Sequence, residues 1–180
     1  RELMEAHLQI EHIIIDIESE LVAGSYRPTE VAVIDHNSGK ILMHRNIAYK
    51  DTLIVNSNQV TLENVLRELK IYCNNRIAVL WNAEEDLKKI PQIEKYSLGV
   101  HCAMIRYSRI KNSNFNNAHN DRPFLKLPDA AQLHGIEIEN WHDPVEDAKT
   151  ASELWHHCDV NNFPRDPQIS KLIQDKIDEK

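Results

Sequence analysis

The chain has 180 residues, of which 42% are hydrophobic and 27% charged, and it carries a net charge of -7. This composition is typical of a folded globular domain and excludes a disordered or fibrous chain. The negative net charge excludes nonspecific electrostatic binding of nucleic acid over a broad basic surface. No apolar run approaches the ~20 residues of a membrane span, and the polar start RELMEAHLQIEH is unlike a signal peptide. We therefore expect one cytoplasmic domain over residues 1–180, with its core at about 10–158 and no membrane partner.

The first predicted element is a buried strand over residues 12–18, in which three isoleucines follow one another without alternation. Two short apolar runs come next, at residues 31–35 and 41–45, and the sequence HNSGK between them suits a tight turn. These two runs predict a β-hairpin. A helix is then predicted after Thr61, which suits an N-cap, because leucine and valine recur beyond it at helical spacing.

The middle of the chain alternates between strand and helix patterns. The apolar run Ile77–Leu80 predicts a strand, and the helix predicted after it, over residues 84–90, stops at Pro91. Residues 101–110 fit either a strand or a strand that leads into a helix, and both interpretations stay open. Residues 111–123 are rich in asparagine and are the most loop-like stretch.

Three helices complete the predicted order. One ends at Gly135, the next begins with Asp143 as N-cap and Pro144 at its first position, and a charged helix covers residues 166–179. The last helix fits a homodimer contact or a solvated end equally well, so the oligomeric state stays open. A mixed β-sheet flanked by helices accommodates this order of elements.

Two carboxylates, Asp16 and Glu18, are predicted at the end of the first strand. Side chains two residues apart in a strand share a face, so these two project toward the same point. Crowded carboxylates either have a raised pKa or bind a cation, and their hard oxygens favour Mg²⁺ or Mn²⁺. A carboxylate that caps a turn at the strand end is the alternative interpretation, and the pair alone does not decide between them.

Further candidate residues follow at two later points. Asp86 comes just past the strand Ile77–Leu80, although its acidic run is equally typical of a solvated helix N-terminus. His142 precedes the start of a helix, and Asp147 lies about one turn inside it. An imidazole and a carboxylate in this arrangement can stand over one site, where the imidazole takes a proton from water.

The segments IIIDIESE, WNAEED and HDPVEDAKTASEL, in their order and spacing, resemble the three exonuclease motifs of the DnaQ-like 3'-5' exonucleases, in the branch with four acidic residues and a histidine. The resemblance spans about residues 10–158. The matching residues are Asp16, Glu18, Asn82, Asp86, His142 and Asp147. The chain departs from the family at Ser19, where threonine is usual, at Glu20, an extra acid, and at Trp81, often a histidine. We expect these departures to affect substrate preference more than chemistry.

The resemblance implies an RNase H-like α/β fold with a mixed central sheet, its first three strands antiparallel and its later ones parallel. It also implies hydrolysis of phosphodiester bonds at the 3' end of single-stranded nucleic acid by a mechanism that uses two Mg²⁺ or Mn²⁺ ions. The implied metal ligands are Asp16, Glu18, Asp86 and Asp147. His142 is the implied general base. The residues implied to contact the terminal nucleotide are Ile17, Glu18, Ser19, Asn82 and His142.

Several alternatives stay open at this stage. RNA and DNA both fit such a site, because their discrimination depends on contacts to the 2'-OH. A catalytically inactive module that binds nucleic acid or protein is the alternative to the enzyme.

The roles of several aromatic and basic residues also stay open. Trp141 can stack on bases, whereas the helical spacing of Trp155 predicts a core position. The basic cluster Arg106, Arg109 and Lys111 either follows the substrate backbone or forms a solvated edge.

Overall fold

The structure of the protein, a computed structural model, describes residues 10–52, 59–113 and 124–158. This part of the chain contains one six-stranded sheet with helices on both faces. The strands are β1 (His12–Val22), β2 (Ser25–Asp35), β3 (Ile41–Ile47), β4 (Gln59–Val60), β5 (Ile77–Leu80) and β6 (Gly99–Cys102). The helices are α1 (Leu62–Cys73), α2 (Ala83–Lys89), α3 (Gln92–Tyr96), α4 (Ala103–Ser113), α5 (Leu127–Leu133) and α6 (Pro144–His156).

The strands follow the order β4-β3-β2-β1-β5-β6 across the sheet. β1, β2 and β3 pair with one another antiparallel, β5 and β6 continue the sheet parallel to β1, and β4 adds a short parallel pairing to β3. The predicted mixed sheet, antiparallel first and parallel later, is therefore confirmed. None of the helices in the described ranges has the length and apolar character needed to span a membrane.

The sheet separates two apolar cores, and β1 contributes to both. Its residues Ile13, Ile15 and Ile17 pack in the core that also contains Val65 and Leu69 of α1. Ile14 packs on the other face, with α6 residues that include Trp155. Because side chains alternate along a strand, Asp16 and Glu18 follow Ile14 onto the face that α6 covers.

Most predicted elements are present, and the differences have local causes. β5 has the predicted bounds. Residues 101–110 form the end of β6 and most of α4, as the interpretation of a strand leading into a helix predicts, and α4 continues through residues 111–113 of the predicted loop. Thr61 caps α1 by accepting a hydrogen bond from the backbone N–H of Asn64. Pro91 ends α2 as predicted and then begins α3, a short helix that was not predicted. The predicted helix at 166–179 lies outside the described residues.

The first strand is longer than predicted, and this changes where its carboxylates lie. The prediction ended it at Glu18, but β1 continues to Val22 and turns directly into β2. The connection consists of Ala23 and Gly24, which both have positive φ, at 48° and 81°. Two such residues form the tight turn whose twist matches an antiparallel hairpin. Asp16 and Glu18 therefore lie in the middle of a strand, and the prediction that they end it is wrong.

A cluster of histidines lies beside α6. The His36 side chain is buried, its Nδ1 lies 2.9 Å from Ser152 Oγ, and its ring stacks on that of His156 with the centroids 3.8 Å apart. The ring of His12 on β1 lies 6.5 Å from that of His36. Burial, and then the neighbouring histidines, lower the pKa of His36 to about 4. The folded protein therefore keeps this imidazole neutral at pH values where an exposed histidine is charged.

Acidification is expected to destabilise the protein through His36. A histidine in the unfolded chain has a pKa near 6.5, so the unfolded state binds more protons than the folded state between pH 6.5 and about 4. The free energy of unfolding should consequently fall by about 2 kcal/mol through this residue between pH 7 and pH 5. Urea unfolding of the wild type and of His36→Gln at both pH values measures the effect. The stability difference between the two proteins should change in acid by this amount, and a difference that is independent of pH would contradict it.

Candidate functional site

The candidate site begins where β1 extends past its parallel neighbour. The pairing of β1 with β5 ends at Ile14, opposite Val79, whereas its pairing with β2 continues to Val22. Asp16 is therefore located just beyond the carboxyl end of β5. In open α/β sheets this is where ligands commonly bind, because strand ends leave a crevice there.

The second part of the site is the beginning of α6. Asp143 caps this helix, since its side chain accepts hydrogen bonds from the backbone N–H groups of Val145 and Glu146. The cap fixes the direction of the first turn and thereby the position of Asp147, which is only 3% exposed. The predicted start of this helix, with Asp143 as N-cap and Pro144 at its first position, is confirmed.

His142 lies immediately before this cap, in an unusual backbone conformation. Its φ is 75°, which is uncommon for a residue other than glycine. Its imidazole is exposed, with Nδ1 3.7 Å from Glu18 Oε2, and its ring centroid lies 4.8 Å from that of Trp141. Strained backbone of this kind concentrates at functional sites. The conformation places an exposed imidazole at the rim of the acidic site.

The third part of the site comes from α2, which follows β5. Asp86 is 8% exposed and lies in the first turn of this helix. The ammonium group of Lys89, one turn later, lies 3.5 Å from Asp86 Oδ1 and donates to the backbone carbonyl of Ile17 at 3.3 Å. Three distant segments of the sequence thus bring their predicted residues to one place.

Two features of the structure describe how closely these groups approach one another. One potential ligand atom from each of Glu18, His142 and Asp147 lies within 4.8 Å of the other two. Asp16 lies near enough to Asp86, Glu18 and Asp147 for all three carboxylates to repel its charge. All five residues predicted for catalysis are therefore brought together, while their roles stay predictions.

Three carboxyl groups of the site have raised pKa values because burial removes the water that would stabilise their charge. Burial, followed by repulsion from Asp86, Glu18 and Asp147, raises the pKa of Asp16 well above its ordinary value. Burial raises the pKa of Asp86 to about 7, although Lys89 opposes the rise. Burial and then Glu18 raise the pKa of Asp147 to about 6, with His142 opposing. The ionised carboxylates of the site repel one another, and Lys89 and His142 offset this repulsion only in part.

The donor set fits divalent cations. Two carboxylate oxygens, Asp16 Oδ2 and Asp147 Oδ1, are buried and have no hydrogen-bond partner among the described residues. Unpartnered buried carboxylate oxygens are unfavourable, and a hard cation is the partner that satisfies both oxygens and charge. The four carboxylates and the imidazole therefore offer the donor atoms of a divalent-cation site.

The residues predicted to contact a nucleotide do not all face the site. Glu18 and His142 face the site, whereas the side chain of Ile17 is 3% exposed and packs in the core on the opposite face of the sheet. Only the backbone of Ile17 can therefore face a nucleotide in the site. Ser19 is half-buried at the point where the pairing of β1 with β2 shifts register, and its contact with a nucleotide stays a prediction. Asn82 is half-buried and precedes α2, and its side chain does not cap that helix. Its contact with a nucleotide stays a prediction.

The structure also gives the positions of the two tryptophans and of part of the basic cluster. Trp155 is 1% exposed, which confirms its predicted core position, whereas Trp141 is 42% exposed beside His142. In the basic cluster, Arg106 is half-buried and Arg109 exposed, and the side chain of Lys111 is outside the described part. Sequence reasoning missed Lys89. Its spacing of three residues from Asp86 on one helix was the available signal.

Comparisons with solved structures show that other proteins share this fold. The Neurospora crassa Pan2 catalytic unit, with protease and nuclease domains, superimposes with a TM-score of 0.60 at 18% identity over 92% of this chain and 29% of its own. Exonuclease X, in complex with 5' overhanging duplex DNA, gives 0.60 at 16% identity over 90% and 99% of the two chains. Product-bound exonuclease I gives 0.57 at 13% identity over 91% and 45%.

These comparisons concern the fold. The chain has the RNase H-like fold of these exonuclease structures, as its motifs predict, and at identities below 20% the likeness extends to the fold alone. No family model and no curated protein sequence matches the chain.

Proposed function

We propose that the protein is a metal-dependent 3'-5' exonuclease that hydrolyses phosphodiester bonds at the 3' end of single-stranded nucleic acid. The observation that carries the proposal is the convergence of five motif residues on one site. They come from β1, from α2 and from the turn before α6 together with its first helical turn. A fold shared with solved exonucleases supports the same function.

The carboxylates of the site would hold two divalent ions. Four side chains are suited to this role, those of Asp16, Glu18, Asp86 and Asp147. When bound, such ions lower the pKa of the attacking water and stabilise the charge on the leaving 3' oxygen. The protein contributes a largely buried set of oxygens on rigid strand and helix positions, which keeps this geometry fixed. This role for the acidic residues also fits the net charge of -7, because a general basic surface is not needed to receive the phosphate.

His142 is suited to the role of general base. Glu18 Oε2 lies 3.7 Å from Nδ1 of the imidazole, and a neutral imidazole beside the carboxylates can accept a proton from water. The exposed position of the ring keeps it accessible to substrate and solvent. Because His142 also belongs to the group of three close ligand atoms, the alternative role of metal ligand has to be tested separately.

The proposal is tested with single-stranded RNA and DNA of the same sequence, each labelled at the 5' end. The protein is incubated with either strand in Mg²⁺, in Mn²⁺ and in EDTA. We expect a ladder of shortened 5'-labelled products in the presence of the metal and none in EDTA. The comparison of the two strands also identifies the preferred sugar. Binding of both strands without any shortening would contradict the proposal and favour the inactive binding module.

Trp141 is expected to provide a stacking surface for a base of the substrate. Its ring is exposed next to His142, and stacking on an aromatic side chain contributes ~1 to 3 kcal/mol per base. Trp141→Ala should raise KM about tenfold with a smaller change in kcat, and Trp141→Phe should restore most of the affinity. Steady-state kinetics on the preferred strand measures both constants.

The matched control for Trp141 is Tyr26→Ala, which removes another exposed aromatic ring, near the turn between β1 and β2. This variant should leave KM unchanged. Equal KM values for Trp141→Ala and the wild type would contradict the stacking role, whereas a loss of folding would appear as a lower melting temperature.

A further inference from the structure

Lys89 supplies a positive charge inside the acidic site. Its side chain is 18% exposed, and the side chain of Asp86, whose carboxylate it contacts, is 11% exposed. The ammonium nitrogen lies 3.5 Å from Asp86 Oδ1 and 3.3 Å from the carbonyl oxygen of Ile17. Lysine is rarely buried to this degree unless it is paired. The two contacts therefore identify a specific position for this charge.

The fold explains why the ammonium group reaches this position. Asp86 and Lys89 are three residues apart on α2 and so lie on the same side of the helix. Ile17 lies three residues beyond Ile14, the last residue of β1 that pairs with β5. The ammonium group thus lies between the first turn of α2 and the part of β1 that extends past β5.

The neighbouring Lys88 shows that this position is specific to Lys89. Its side chain is 62% exposed, and its ammonium group contacts Glu85 at 2.8 Å and Glu84 at 4.0 Å. These are surface ion pairs, which contribute little to stability. Two adjacent lysines on one helix therefore have different environments, and only the second reaches the candidate metal ligands.

A lysine and a divalent ion at the same carboxylate compete. Magnesium binds carboxylate oxygens at ~2.0 to 2.1 Å, so an ion held by Asp86 would lie within a few ångströms of the ammonium group at its present position. Like charges at such a separation repel strongly in a partly buried site. Binding of the ion therefore requires the ammonium group to move away from Oδ1 or lowers the affinity for the ion.

We propose that Lys89 is a built-in counter-cation of Asp86 that competes with divalent ions and sets the metal affinity of the site. The proposal rests on the proposed function in taking Asp86 as a metal ligand. In the absence of metal the ammonium group partly neutralises the crowded carboxylates. When a divalent ion binds, the long side chain of lysine lets the group withdraw toward solvent.

The test is the affinity of the protein for Mn²⁺, measured by isothermal titration calorimetry without nucleic acid. Lys89→Met, which keeps the length of the side chain and removes its charge, should bind Mn²⁺ about tenfold more tightly than the wild type. Lys89→Arg keeps the charge and should bind no more tightly than the wild type. The matched control, Lys88→Met, should also have the wild-type affinity, because that lysine does not reach the site.

The possible outcomes separate this proposal from the proposed function. If Lys89→Met binds Mn²⁺ no more tightly than the wild type, Lys89 does not compete with the metal, although the metal site itself stands. If Lys89→Arg gains as much affinity as Lys89→Met, the effect comes from side-chain shape, and the proposal is wrong. If neither the wild type nor Lys89→Met binds Mn²⁺, the metal site and the role of Lys89 fail together.

Discussion

Replacing Asp16 with asparagine is expected to reduce hydrolysis on the order of 10³-fold while making the metal-free protein more stable. Activity should fall because a ligand carboxylate at the centre of the site is lost. Stability should rise because burial and the repulsion of Asp86, Glu18 and Asp147 make the charge of Asp16 unfavourable in the folded state. We therefore expect the free energy of unfolding of Asp16→Asn in the absence of metal to exceed that of the wild type.

The measurements are the initial rate on a 5'-labelled strand and urea unfolding in EDTA at pH 8. Asp35→Asn is the matched control, because it makes the same chemical change at the end of β2. Although burial raises the pKa of Asp35, hydrogen bonds from Ser38 lower it below its ordinary value. This control should therefore lose stability and keep activity. A full loss of activity in Asp16→Asn together with a loss of stability would indicate a structural role and contradict our account.

Divalent ions are expected to stabilise the protein, and more strongly at pH 8 than at pH 6. An ion at 100 times its dissociation constant adds ~2.7 kcal/mol to the free energy of unfolding when it binds only the folded state. The carboxylates must lose their protons before they bind the ion. With pKa values of about 7 for Asp86 and about 6 for Asp147, the apparent affinity should be at least ~10-fold weaker at pH 6.

In the metal-free protein, Asp86 and Asp147 should make the free energy of unfolding fall, not rise, as the pH increases. Their pKa values in the folded state exceed the ~3.9 of an unfolded aspartate, so the folded state binds more protons than the unfolded state between about pH 4 and pH 7. The contribution of these residues to stability consequently falls as the pH rises through this window. Thermal unfolding in EDTA and in Mn²⁺ at the two pH values separates the effects. Equal stabilisation by Mn²⁺ at pH 6 and pH 8 would contradict the assignment of these carboxylates as ligands.

The role of His142 is tested in the same melting experiments. If the imidazole is the general base, His142→Ala should lose turnover and keep most of the stabilisation by Mn²⁺. A variant that loses both would make the histidine a metal ligand, which the 4.8 Å grouping with Glu18 and Asp147 also permits. Glu18→Gln provides the control, because the loss of a ligand carboxylate should reduce both activity and stabilisation.

Local sequence signals predicted the elements that carry the site. The run Ile77–Leu80 is buried throughout, and a short apolar run of this kind indicates a central strand. The sequence Asp143-Pro144 marks the start of α6, because aspartate caps helices and proline suits the first helical position. These signals depend on neighbouring residues only, which is why they could be recognised without a structure.

The features that escaped prediction depend on residues far apart in the sequence. Polar residues from Glu18 to Glu20 look like the end of a strand, yet β1 continues because β2 pairs with it as far as Val22. Lys89 looks like a solvated residue of a charged helix face. Its position in the site depends on Ile17, 72 residues away along the chain. Only the packing of α2 against the extended part of β1 reveals this contact.

The most direct test of the account is the polarity of cleavage on one single-stranded substrate. Two samples of the preferred strand are prepared, one labelled at the 5' end and one on the 3'-terminal nucleotide, and both are incubated with the wild type in Mn²⁺. We predict that the 3' label is released first, as a mononucleotide, while the 5'-labelled strand shortens one residue at a time. Early release of the 5' label, internal fragments, or two intact strands would contradict the assignment of the protein as a 3'-5' exonuclease.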